Sequence, residues 1–272
     1  MPAPEWLTAR PVAHRGLHDA ARGVLENTLP AAEAAVAGGL AIEVDIQPSA
    51  DGVAMVFHDE TLDRLTEGQG PVSAVSAAVL QGLRFRHSDA RIPTLDDLLD
   101  LVAGRVPLLI EIKSEGRTDR GLEARIVERL KHYQGPVALM SFDPDSIAAV
   151  AALAPEMPRG IVAMRYDDAA SRRDMPPLRR FSLRHLLHVP QTRPHFIAYH
   201  VRGLPTAGPL LVKRMLGLPL LTWTVRTAKD RAVAARYADQ IIFEGFDPRD
   251  LSEDAEHPGP VTDHRRGLRG GA

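Results

Sequence analysis

Four short segments of this chain carry side chains able to do polar chemistry: AHRG with His14 and Arg15, IEVDI with Glu43 and Asp45, VFHD with His58 and Asp59, and IEIK with Glu111 and Lys113. Alternation along a strand puts Glu43 and Asp45 on one face and Ile42, Val44 and Ile46 on the other. A carboxylate taken out of water without a partner is costly, so that pair must face solvent or have its charge neutralised by a cation. Glu43, Asp45 and Glu111 together offer oxygen ligands that suit a hard divalent cation, Mg²⁺ or Ca²⁺, better than zinc, which prefers imidazole or thiolate. Arg15 and Lys113 would balance an anionic substrate, with the guanidinium fork matched to phosphate. His14 and His58 can exchange protons near neutral pH. Cation, anion clamp and acid/base pair together describe phosphoester cleavage.

Each piece also has a plainer reading. Alternating acids in a strand are commonly a solvated face. His14 alone would pass as a core histidine bonded to backbone, and His58-Asp59 as a turn whose acid caps the next element. Lys113 beside Glu111 would pass as an exposed strand end. The plain readings must hold independently at four places, whereas one site accounts for all of them.

The elements that would position these residues are short apolar runs: RPVAHRG, AIEVDIQ, PLLIEIK, PVALMSF, RGIVAM, FIAYHV, PLLTWTV and QIIFEG. Most are separated by stretches of helical periodicity, among them TLPAAEAAVAGG, with Asn27 or Thr28 as its cap, and TLDDLLDLVAG. Continuous apolar strands alternating eight times with helices predict an α/β fold, a (β/α)₈ TIM barrel, rather than an open doubly wound sheet. In such a barrel all four polar segments fall at the carboxyl ends of strands, where barrel active sites are built. Residues 53–92, opening on the strand-like VAMVFHD, read as a small insertion after the second strand. A second irregular region, rich in Arg and Pro, runs from Arg165 to Arg193. One barrel domain over residues 1–250 is expected, with a frayed, flexible tail over 251–272.

Bulk properties narrow the classes. The 272 residues, 44% hydrophobic, suffice for one large domain. With 33 basic against 35 acidic residues, the charge balance predicts neither nucleic acid nor an anionic membrane as a general partner. The absence of cysteine removes disulfides, thiolate metal sites and cysteine nucleophiles. The N-terminal stretch lacks the pattern of a signal peptide and no window has the apolar length of a membrane span, so a cytoplasmic location without a membrane anchor is expected.

The ordered set AHRG, LENT, EVD, FHDETLDRLT, IPTLDDLL, IEIK, SFDPDSI and TWTV, spanning roughly residues 11–247, resembles the glycerophosphodiester phosphodiesterase family. The resemblance implies a (β/α)₈ barrel with an insertion and a divalent metal held by Glu43, Asp45 and Glu111. It further implies His14 and His58 as the acid/base pair and Arg15 and Lys113 at the phosphate of a small glycerophosphodiester. It places Glu26 where a carboxylate would orient Arg15 or a histidine, its alternative being a helix N-terminal acid favoured by the dipole. It makes Trp223 an apolar wall under the glycerol, its alternative being core packing. Two stretches depart from the family pattern: LHDAARGV after the first motif, and FEGFDP at the end of the last strand. Rival functions are a phospholipase D-like lyase that yields a cyclic phosphate, a non-catalytic anion-binding barrel, and a scaffold using the Arg-rich region.

Overall fold

The computed structural model describes residues 2–114 and 119–248. Nine strands follow in chain order: β1 Val12–Ala13, β2 Ala41–Pro48, β3 Ala54–Val56, β4 Leu108–Ile112, β5 Val137–Ser141, β6 Arg159–Ala163, β7 Phe196–His200, β8 Leu220–Val225 and β9 Gln240–Phe243. All but β3 pair in parallel, in the order β1, β9, β8, β7, β6, β5, β4, β2, and β1 pairs back onto β2 to close the cylinder. The eight barrel strands are the eight apolar runs of the sequence. Closure leaves no open edge among them, since even the short β1 is hydrogen-bonded on both sides.

The period of two in each strand divides the protein into two cores. Outward residues Ile42, Val44 and Ile46 of β2 and Leu108, Ile110 and Ile112 of β4 pack against helices, including α2 (Leu29–Ala37) and α4 (Leu95–Val102). The buried residues of α4, Leu95, Leu98, Leu99 and Val102, recur at the spacing of one helical face. Threonines fix the starts of these helices: Thr28 accepts from the Ala31 N–H, and Thr94 forms a reciprocal capping box with Asp97. Inward residues Val12, Ala41, Leu109, Ala138, Met140, Val162, Phe196, Ala198, Leu221 and Ile242 fill the cylinder, closed below by Leu7 of α1 (Trp6–Ala9). On β2 the inward face continues past Ala41 through Glu43 and Asp45, so the polar residues stand directly on an apolar floor.

β3 runs back antiparallel along β2, pairing Ile46 with Val56. With α3 (Ala77–Gly82) it builds a separate cluster of Met55, Phe57, Leu62, Val72, Leu80, Phe85 and Ile92. This is the insertion after the second strand. The Arg-rich region, read as irregular, instead holds three short helices, α7 (Ala169–Asp174), α8 (Pro177–Arg184) and α9 (Val189–Thr192). They follow α5 (Gly121–Leu130) and α6 (Pro144–Leu153) and precede α10 (Ala207–Leu216) and α11 (Ala228–Tyr237). Asp168 caps α7, and Pro176-Pro177 ends it and opens α8; α7 and α9 are too short to show a helical period, and α8 buries only Leu183 while Leu178 and Phe181 are exposed, so no core-facing stripe marks it. The tail over 251–272 lies outside the described residues. Among the described residues no helix is long and apolar enough to cross a membrane.

The floor is packed by size complementarity. Gly160 is in register with Phe196, and a Cβ on Gly160 would lie 2.3 Å from that fully buried ring. Gly160→Ala is therefore expected to cost about 1–3 kcal/mol in urea unfolding, with part recovered by adding Phe196→Leu. An unchanged unfolding midpoint would show that the ring yields.

Candidate active site

The polar residues converge at the carboxyl ends of β1, β2 and β4. Asp45 and Glu111 are direct partners across the β2–β4 pair. One carboxylate oxygen from each of Glu43, Asp45 and Glu111 lies within 4.8 Å of the other two. The three residues are only 1%, 2% and 6% exposed, which rules out the solvated-face reading. Two ionised carboxylates at such a distance repel by about 3 kcal/mol at an effective dielectric of about 20, so the cluster needs positive charge.

The chain supplies some of it. Lys113 Nζ sits 2.6 Å from Glu111 Oε1 and 3.1 Å from Asp45 Oδ1. Arg15 Nε lies 3.4 Å from Asp45 Oδ2, and the Arg15 backbone N–H donates to Glu43 Oε2 at 2.9 Å. That N–H is aimed by a tight turn: Arg15 adopts φ 56° and Gly16 φ 80°. A Cβ at Gly16 would meet Ala31 of α2 at 2.9 Å, so glycine there answers both the angle and the close approach. Asn27, also at positive φ, holds Asp45 at two points: its Nδ2 donates to Asp45 Oδ2 at 2.8 Å and its Oδ1 accepts from the Asp45 N–H at 3.2 Å.

Burial, followed by the charges of Asp45 and Glu111, pushes the Glu43 carboxyl well above its usual range. Burial alone would raise Asp45 as well, but the charges of Lys113, His58, Arg15 and His14 outweigh it and hold that carboxyl down. Three buried oxygen ligands, one of them driven toward protonation by its neighbours, fit a hard divalent cation. Its positive charge would relieve the repulsion that Lys113 and Arg15 leave uncompensated.

Both histidines are held by a carboxylate. His14 Nδ1 lies 2.8 Å from Glu244 Oε2, and Arg226 donates to Glu244 through Nε at 3.0 Å and Nη2 at 2.9 Å. His58 Nδ1 lies 2.8 Å from Asp59 Oδ1. An ionised carboxylate only accepts, so Nδ1 carries the proton in each neutral ring and Nε2 is left with the lone pair. Burial lowers the His14 pKa against the opposing hydrogen bond to Glu244. Burial would raise the carboxyl of Asp59, but hydrogen bonds from Arg64 and His58 bring it to about 2. Arg64 links this unit to the rest: it donates to Asp59 Oδ2 at 2.5 Å and to Glu26 Oε1 at 2.7 Å, and Glu26 Oε1 accepts from Arg15 Nη1 at 2.5 Å.

Every residue singled out in the sequence thus lies at one end of the barrel. Glu26 touches Arg15 as its alternative as a helix acid would not require. Trp223, on the inward face of β8, stands edge-on to Phe142 at 5.3 Å and beside His200 at 4.9 Å, with its indole N–H on the Ala198 carbonyl at 3.2 Å. Of the two last residues of β7, Tyr199 faces outward and donates to the Met164 carbonyl at 3.0 Å, whereas His200 stands against Trp223 on the inward face. The sequence reading missed Asn27 as a clamp, Glu244 and Arg226 behind His14, and Arg64. The signal for Glu244 was its place at the end of the last strand run, inside the FEGFDP departure.

An eight-stranded parallel barrel with its carboxylates, histidines and cations gathered at the strand carboxyl ends defines a (β/α)₈ enzyme architecture. The family model described as the glycerophosphoryl diester phosphodiesterase family matches residues 14–248, and the chain belongs to that family. A glycerophosphodiester phosphodiesterase of Caldanaerobacter subterraneus subsp. tengcongensis is 34% identical over 161 residues, which are 56% of this chain and 65% of the relative. The match thus spans just under two thirds of that relative's length. The crystal structure of a glycerophosphodiester phosphodiesterase from Agrobacterium tumefaciens superposes with a TM-score of 0.62 at 27% identity, covering 86% of this chain and 95% of that one. An Oleispira antarctica phosphodiesterase solved with the product sn-glycerol-3-phosphate shares the fold at a TM-score of 0.72 and 22% identity, covering 90% and 96%.

The raised Glu43 carboxyl sets a pH dependence. A group whose pKa is raised by folding contributes its stability below its unfolded value and loses it as pH rises through the folded value. Cation-free protein should therefore lose this contribution on the alkaline side, and Glu43→Gln should there be the more stable of the two. Melting curves in chelator across pH check this. Wild type and variant that differ equally at low and high pH would refute it.

Proposed function

We propose that this chain is a divalent-cation-dependent phosphodiesterase that hydrolyses glycerophosphodiesters to an alcohol and glycerol 3-phosphate. The observation that carries the reading is the pair of carboxylate-held imidazoles flanking three buried carboxylates and two fixed cations. Membership in the family supports it, as does the product bound to the Oleispira antarctica protein.

Glu43, Asp45 and Glu111 would hold the cation, Mg²⁺ or Ca²⁺. When bound there, it supplies Lewis-acid stabilisation of charge on the phosphate oxygens. Arg15, oriented by Glu26 and Asp45, presents a planar donor fork to the non-bridging oxygens, and Lys113 adds a point charge beside it. These donors are in place before the reaction, so stabilising the developing charge requires little reorganisation. His14 and His58 exchange the two protons of the reaction at Nε2: one imidazole takes the proton of the attacking group and the other protonates the leaving alkoxide. Glu244 and Asp59, on Nδ1, fix the tautomers and stabilise whichever ring becomes charged. Trp223 forms an apolar wall for the glycerol backbone. A cysteine-free chain is in keeping with the reducing cytoplasm.

Purified protein should release glycerol 3-phosphate from glycerophosphocholine, lose that activity after exhaustive chelation, and regain it with Mg²⁺ or Ca²⁺. Full turnover without metal would reject the cation. His14→Ala and His58→Ala should each lower kcat roughly 10²- to 10⁴-fold while the protein stays folded. A variant at the wild-type rate removes that residue from the mechanism.

The hydrogen bond from His14 to Glu244 raises the ring's pKa, so its removal should lower it. Glu244→Gln should move the pH–rate limb set by His14 to lower pH and reduce kcat. An unshifted profile would leave Glu244 a structural role only.

A further inference from the structure

The opposite end of the barrel holds a second cavity, at the N-terminal ends of β6 and β7. It has a volume of about 280 Å³ and is lined by Ala151, Pro155, Arg159, Arg193, Pro194 and His195. The catalytic residues proposed above stand at the carboxyl ends of the strands, so the apolar floor separates the two places.

Arg159 is only 5% exposed and is fixed from several sides. Its Nε donates to the Thr192 carbonyl at 3.2 Å, and its Nη1 donates to the carbonyls of Pro155 at 3.0 Å and Met157 at 3.1 Å. These bonds use three of the five guanidinium N–H groups. Among the described residues nothing accepts from the pair on Nη2, and no carboxylate forms an ion pair with this guanidinium. Nη2 is not among the sealed, unpartnered polar atoms, so its N–H pair is the part of this otherwise buried guanidinium that a ligand in the cavity can reach. Burial, and then the charge of Arg193, lowers the Arg159 pKa, and the charge of Glu156 offsets this in part.

His195, 4% exposed, completes the group. Its Nδ1 accepts from the Arg159 backbone N–H at 3.2 Å, which leaves the ring proton on Nε2 as a further donor. Burial, and then the Arg159 charge, holds the ring's pKa down to about 4, so it is neutral at physiological pH.

We infer that this cavity binds a phosphate group, taken up by the Nη2 pair of Arg159, the guanidinium of Arg193 and the Nε2–H of His195. Several N–H donors without carboxylates match an oxyanion with several acceptor oxygens. The cavity has room for a small organic substituent beyond the phosphate, so free phosphate and a small phosphomonoester both carry the chemistry it selects.

Calorimetric titration of the full chain tests this, in chelator and at low ionic strength, with inorganic phosphate and separately with methyl phosphate. Both are expected to bind saturably, and the tighter of the two identifies the source. Arg193→Gly, which suits the positive φ of that residue, and His195→Gln should each weaken binding roughly tenfold or more. Arg15→Ala, at the other end of the barrel, should leave this binding within about twofold. The proposal is overturned if neither ligand saturates by about 10 mM, if Arg193→Gly and His195→Gln bind as wild type does, or if Arg15→Ala alone abolishes binding. Arg159→Lys is a further variant, but the two side chains above decide the outcome even where it fails to fold.

Discussion

Three carboxylates from two adjacent parallel strands point into a cylinder that excludes water. Register makes Asp45 and Glu111 direct neighbours, and the strand period adds Glu43 on the same inward face. The barrel backbone leaves them little freedom to move apart, so charge must be brought to them. That requirement accounts for Lys113 between two of the acids, for Arg15 against Asp45, and for the Asn27 clamp. It also explains why these acids have such different proton affinities although they share one pocket: Asp45 collects the cationic neighbours, while Glu43 receives mainly backbone.

Around this centre the same device is used twice. Each histidine is backed by a carboxylate, and each carboxylate is in turn held by an arginine, Arg226 for Glu244 and Arg64 for Asp59. The arginine fixes the acid, the acid fixes the tautomer, and Nε2 is left for chemistry. One of these units grows from the end of β9 and the other from the insertion. The insertion therefore needs a core of its own, with Phe57 buried immediately before His58. Glu26 and Arg64 then tie the insertion to Arg15, the residue that follows His14 in the chain.

The two ends of the cylinder contrast in the charge they leave unbalanced. At the carboxyl end an acidic cluster exceeds its nearby cations, and at the amino end the buried Arg159 has, among the described residues, no carboxylate at ion-pair distance. Between them lies the apolar layer around Phe196, Met140 and Leu221. It keeps the two charge groups apart by the depth of the packed cylinder.

The apolar runs with their period of two, the intervening helical periods and the grouping of polar residues after AHRG, IEVD, FHD and IEIK were all properties of the sequence. Local backbone geometry alone decides which strand residues share a face, so the eight strands, the insertion and the pairing of Glu43 with Asp45 were legible there. The region from Arg165 to Arg193 was not, because two of its helices are too short to display a period and the third, α8, leaves Leu178 and Phe181 exposed instead of turning an apolar stripe to the core. The sequence also could not choose between a solvated and a buried pair of acids, or join His14 to Glu244 and Asp45 to Asn27. Those contacts depend on closure of the barrel, on the register of β2 against β4, and on the turns at Arg15 and Asn27. They bring together residues far apart in the chain, and no local propensity encodes that distance.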